Sequence, residues 1–178
     1  GWADHHPEYA DWVMRDPEGK PYGTYNHIGW PMRQRVCTTG DAYRAGIRQV
    51  VKELCEHDID GVYFDAPSGF GYTGVCFCDS CRQNVKKFSG LDLDRLRGIV
   101  KYQGLPFEWG DLPADTDMEA LTAWYVWANQ LTKEDLLDFR KIIHGSGKFM
   151  MCHNGQAWIG TSLFLQYRIP EGFMVEAS

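Results

Sequence analysis

The chain has 178 residues, 44% of them apolar and 24% charged, an ordinary globular mixture with enough length for one domain with a real core. Its net charge of −6 argues against nucleic-acid binding, which draws on concentrated Lys and Arg. No apolar run approaches membrane-spanning length, and the opening GWADHHPEYADW has neither the basic nor the apolar region of a secretory signal; a removed signal would leave the same pattern, so the compartment stays open, with a slight lean to the cytoplasm.

Taken in chain order, residues 1–36 read as a long irregular loop, with DPEGKPYG and Trp30-Pro31 marking turns. Asp41 is placed to cap a helix starting at Ala42. Along it Ile47, Val50, Val51, Leu54 and Cys55 recur at helical spacing, and the pattern ends near His57. Gly61-Val62-Tyr63-Phe64-Asp65 predicts a short buried strand, followed by a loop rich in Gly, Ser, Pro and Cys. Helical stretches are expected over 80–88 and 91–102. After the turn-rich GLPFEWGDLPAD, a long helix is predicted over 118–144. Its apolar face carries Leu121, Trp124, Tyr125, Ala128, Leu131, Phe139, Ile142 and Ile143, and Gly145 and Gly147 stop it. Phe149-Met150-Met151-Cys152 and Phe173-Met174-Val175-Glu176 are the remaining strand candidates.

Buried strands separated by helices imply a parallel sheet with crossover connections. In such folds the polar residues at the carboxyl ends of strands line the ligand site. Each of the three strands ends that way, in Asp65, in His153-Asn154 and in Glu176. Seven Trp and an aromatic share of 14% suit stacking against sugar faces, although cores use aromatics too.

Cys76-Phe77-Cys78-Asp79-Ser80-Cys81 gives the spacing C-x-C-x-x-C. Thiolates this close cannot all pair in unstrained disulfides, but they can converge on one metal. Zinc needs a fourth ligand, and Cys37, in the loop before the helix that leads to the Asp65 strand, is the natural candidate. Four thiolates would close the site to substrate, so the zinc would be structural. Cys55 on the helix core face and Cys152 in a strand read as small core residues.

HPEYADWVMRDPEGKPYG, RVCTTGDAYRAGIRQVVKEL, DIDGVYFDAPSGF and CFCDSCRQNVKKFSG together resemble the central part of barrel glycoside hydrolases such as the family forty-two β-galactosidases and the group of hypothetical glycosyl hydrolases. The resemblance covers about residues 5–95 well and 118–178 in outline. It implies a partial (β/α)8 TIM-barrel over 1–178, with parallel strands alternating with helices, as a fragment or half-barrel. It also implies a zinc loop at 76–81, with Cys37, Cys76, Cys78 and Cys81 as ligands. Where the β-galactosidases carry an Asn-Glu pair, this chain has Phe64-Asp65-Ala66, which resembles barrels with an Asp nucleophile. By that resemblance Asp65 is the nucleophile and Glu176 the acid/base of a retaining glycosidase. Substrate contacts are expected from His5, His6, Trp30, Tyr63, His153 and Asn154. The expected partners are an oligosaccharide or glycoside substrate and, because a short parallel sheet leaves open edges, a second copy in a homodimer or higher oligomer. The alternatives are a non-catalytic, zinc-stabilised carbohydrate-binding or structural piece, and a metal-dependent hydrolase using His5, His6 and His153.

Overall fold

A computed structural model describes residues 7–21, 23–24, 33–34, 36–65, 75–102, 114–154 and 172–175. Contacts divide the chain into two compact units. The first comprises Gly1–Tyr43 and Phe70–Ala128; the second comprises Arg44–Gly69 and Asn129–Ser178.

The elements follow the periodicity of the sequence closely from residue 41 onward. They are α1 (Asp41–Cys55), β3 (Gly61–Asp65), α2 (Asp79–Ser89), a 3-10 helix (Leu93–Tyr102), α3 (Met118–Gly145), β4 (Phe149–Asn154) and β5 (Gly172–Val175). The stretch expected as a helix over 91–102 winds as 3-10 rather than α. The long loop expected before residue 36 is more structured than its sequence suggests. It holds a 3-10 turn (Pro7–Trp12) and two short strands, β1 (Gly23–Thr24) and β2 (Arg33–Gln34), paired antiparallel. Isolated bridges join Val13 to Val36 and Arg15 to Pro21. These pieces lack alternation, and their pairing partners lie across turns, so periodicity does not reveal them.

Local chemistry accounts for the helix ends. α2 starts from Cys78 in extended conformation and stops at Gly90, whose φ of 75° lets its amide return to the Lys86 carbonyl. Asp117 caps α3 by accepting the Ala120 amide at 3.0 Å. Asp41, the expected cap, is itself the first residue of α1. Its carboxylate takes Ser80 Oγ at 2.8 Å and Asn84 Nδ2 at 3.1 Å, because those donors on α2 compete for it.

In the second unit β3, β4 and β5 form a parallel sheet in sequence order. Val62 pairs with Met150 and Phe64 with Cys152. These positions alternate with Gly61, Tyr63, Phe149 and Met151, so one sheet face is apolar and covered. There Val62, Met150 and Cys152 pack with Val51 and Cys55 of α1 and with Leu136, Phe139 and Ile143 of α3. Phe64 stacks on Phe139 at 5.3 Å between centroids. Each large side chain buried this way contributes about 1.5–3 kcal/mol. Val50 and Leu54, expected on the α1 core face, are exposed; the stripe that packs on the core is narrower, Val51 and Cys55 buried and Ile47 partly so. Asp135 ties the two helices together, accepting Arg44 Nε at 2.7 Å and Arg48 Nη2 at 3.2 Å.

Gly61 has a steric role. A Cβ there would lie 2.5 Å from the Phe149 carbonyl oxygen and 2.9 Å from the Phe149 ring, so only glycine admits β4 at this distance.

Candidate metal centre

Two segments of the first unit deliver the four cysteines, one at residue 37 and one over 76–81. Cys37 follows the bridge at Val36 and donates its amide to the Trp12 carbonyl at 2.7 Å. The turn after it closes through the Gly40 amide on the Cys37 carbonyl at 3.0 Å. A Cβ at Gly40 would sit 3.2 Å from Cys37 Sγ, so the turn passes directly against the sulfur. Cys76 lies beside the segment after the first 3-10 turn: the Phe77 amide donates to the Arg15 carbonyl at 2.8 Å, and the Arg15 amide to Cys76 Sγ at 3.3 Å. Cys78 occupies the N-cap of α2, and Cys81 sits one turn further on. Arg82 braces this corner, donating to the Phe77 carbonyl at 2.8 Å and the Pro17 carbonyl at 3.1 Å, with its guanidinium 5.4 Å from the Phe77 ring centroid.

The four sulfurs of Cys37, Cys76, Cys78 and Cys81 all lie within 4.8 Å of one another. Cys37 Sγ is 3.8 Å from Cys78 Sγ and 3.4 Å from Cys81 Sγ. None is in a disulfide, whose sulfurs would be about 2.0 Å apart. A tetrahedral ion with metal–sulfur bonds of about 2.3 Å sets sulfur–sulfur edges of about 3.8 Å. The donor set and its spacing therefore suit one metal ion, and among the described residues this is the one group of His, Cys, Asp and Glu side chains that could hold one.

Electrostatics agree with that fit. Hydrogen bonding with Cys37 pushes the Cys76 and Cys81 thiols well up; Cys78 and burial add to this, while Cys81 acts on Cys76 in the opposite sense. The same neighbours, Cys37 first, push Cys78 well down, and the Cys81 amide at the helix N-terminus adds to this without forming a full side-chain cap. Without a cation, four crowded sulfurs share few negative charges, and Cys78, the least buried, carries charge most readily. A divalent cation removes that restriction by replacing the protons. Thr39 completes the surroundings, its Oγ1 lying 3.1 Å from Cys81 Sγ and 3.5 Å from Cys37 Sγ. The sequence reading missed Thr39. Its signal was the run Cys37-Thr38-Thr39-Gly40, where a turn holds hydroxyls close to a ligand.

Asp65 pairs with His153 and Asn154 with Val175, so strands β3, β4 and β5 finish side by side. Tyr63 is 45% exposed and alternates with the buried Val62. His5, His6, Trp30 and Glu176 lie outside the described residues, and for Asp65, His153 and Asn154 the description is of the main chain. Cys55 and Cys152 are core residues of the second unit, and burial pushes the Cys152 thiol up to about 12.

Comparison with known protein families, with curated proteins and with solved structures finds no match for this chain.

Proposed function

We propose that the chain is part of a sugar-cleaving (β/α)-barrel enzyme, with Asp65 as nucleophile, Glu176 as acid/base and a structural zinc at the four cysteines. The observation that carries this reading is the register of the parallel sheet. Its strands run in sequence order, and their carboxyl ends bring together Asp65, His153, Asn154 and the residue before Glu176. Barrels place neighbouring strands in that order and build their sites at those ends. Adjacent strands are about 4.8 Å apart, so the ends of β3 and β5 lie two spacings apart, roughly 10 Å along the sheet, a span that residues at or just beyond those ends can bridge to flank one glycosidic bond.

The chemistry follows from the pair. The Asp65 carboxylate attacks the anomeric carbon while Glu176 protonates the departing oxygen; water, deprotonated by Glu176, then releases the glycosyl group from Asp65. His153 and Asn154 are suited to hydrogen-bond sugar hydroxyls, and the exposed Tyr63 offers a ring face. The zinc takes no part in bond cleavage, since four thiolates fill its coordination. Elemental analysis checks its identity: one zinc per chain is expected, and iron would replace the zinc assignment with another tetrathiolate metal.

The test is kinetic and uses the full-length protein with aryl glycosides. Asp65→Ala is expected to cut turnover by orders of magnitude, and azide should restore it with a glycosyl azide as product. Undiminished activity in Asp65→Ala would sink the reading. Stoichiometric metal with no glycoside turnover in the parent protein would favour the second reading, a metal-stabilised carbohydrate-binding or structural piece, which the well-formed cysteine cluster supports.

A further inference from the structure

We infer that Thr39 is a positioning residue of the metal centre: its hydroxyl donates to Cys81 Sγ once that sulfur is a metal-bound thiolate, and so sets the strength of the ion's grip. This rests on the metal reading above and concerns a residue that supplies no ligand atom.

Thr39 is 2% exposed, so its hydroxyl has little recourse to water and must find protein partners. The two nearest sulfurs are Cys81 Sγ at 3.1 Å and Cys37 Sγ at 3.5 Å. A hydroxyl has one proton to give, and the shorter contact marks Cys81 as its receiver. Either atom could donate across this 3.1 Å contact, but a metal-bound Cys81 thiolate has no proton to give, so there the hydroxyl is the donor to a charged acceptor.

The arrangement has a reason in charge. Four thiolates around a divalent cation leave two net negative charges in a buried place. Cys76 Sγ receives the Arg15 amide at 3.3 Å, and Cys78 lies at the amide-rich end of α2. Cys81, the most buried of the four, has the Thr39 hydroxyl in the corresponding position. Hydrogen bonds of this kind hold ligands in orientation and lower the energy of the bound thiolate, and their loss typically weakens metal affinity 10–100-fold.

Thr39→Val keeps the shape and removes the hydroxyl; Thr39→Ser keeps the hydroxyl. Each variant and the parent are loaded with zinc for competition against a chelator, and with cobalt(II) to read the thiolate-to-metal charge-transfer band. Thr39→Val is expected to bind zinc roughly 10–100-fold more weakly and to move the cobalt band to longer wavelength. Thr39→Ser should restore both. A merely packing role would leave the band where it is, and an unmoved band with parental affinity in Thr39→Val would overturn the inference while leaving the metal centre intact. A parent protein that binds neither ion would overturn the metal reading and this inference with it.

Discussion

Each unit has its own internal means of stabilisation. In the first, the most specific feature is a convergence of side-chain atoms: four sulfurs within 4.8 Å of one another, brought from residues 37 and 76–81. In the second, the most specific feature is backbone register, with apolar burial between α1, α3 and the sheet behind it. The first arrangement depends on what neutralises the sulfurs. The second depends on volume and would persist in the absence of any ion. A candidate site of the first kind is visible as a donor set; one of the second kind is visible as strand ends that finish together.

Withdrawing the ion that the four cysteines could hold should have the greatest consequence. Small structural zinc sites have apparent binding free energies of about 10–16 kcal/mol, much of it expressed as folding. Chelation, or Cys81→Ser, is therefore expected to cost several kcal/mol of local stability. Hydrogen exchange should show protection lost first at residues 13–15, 36–40 and 75–89, with the amides of β3 and β4 retaining most of theirs. Lowering the pH should release the ion in the same way, because its ligands must be deprotonated. Uniform loss across both units would show that the metal supports the whole chain.

The converse change is made in the apolar cluster. Met150 is fully buried among α1, α3 and β3 side chains. Met150→Ala should cost about 2–5 kcal/mol in urea unfolding, the transfer loss plus the cavity left behind. Its metal content should stay at the parental level. A variant that also loses the ion would show that the two kinds of stabilisation are not separable.

The smallest expected effect sharpens the electrostatic side of the first unit. The Arg82 hydrogen bond, helped by the charges of Arg82 and Arg97, holds the Asp94 carboxyl below its usual range. A carboxyl depressed in the folded state stabilises above its unfolded pKa, and that contribution is lost as pH falls through the folded value. Asp94→Asn should therefore be slightly less stable than the parent at neutral pH, with the gap closing below about pH 4. A gap that stays constant across that range would mean that Asp94 acts through packing or neutral hydrogen bonds.

Much of the architecture was legible in residue order alone. The strand at residues 61–65 and the long helix ending before Gly147 follow from β-branched and aromatic runs, helical periodicity and glycine breaks, all local in origin. The cysteine spacing was legible too, because three thiols in six residues have few uses besides a metal. Other features required the folded chain. Periodicity marked Val50 and Leu54 as core, yet the packing of α1 against β3 and α3 selects the narrower stripe of Ile47, Val51 and Cys55. Asp41 has the residue type of a cap, but Ser80 and Asn84, about forty positions away, capture its carboxylate. Thr39 is an ordinary turn residue until Cys81 comes within 3.1 Å of its hydroxyl. Propensity and spacing act over one or two turns of chain, so sequence determines elements and donor types. Which side chains meet is decided by contacts distant in sequence, and only the tertiary structure supplies those.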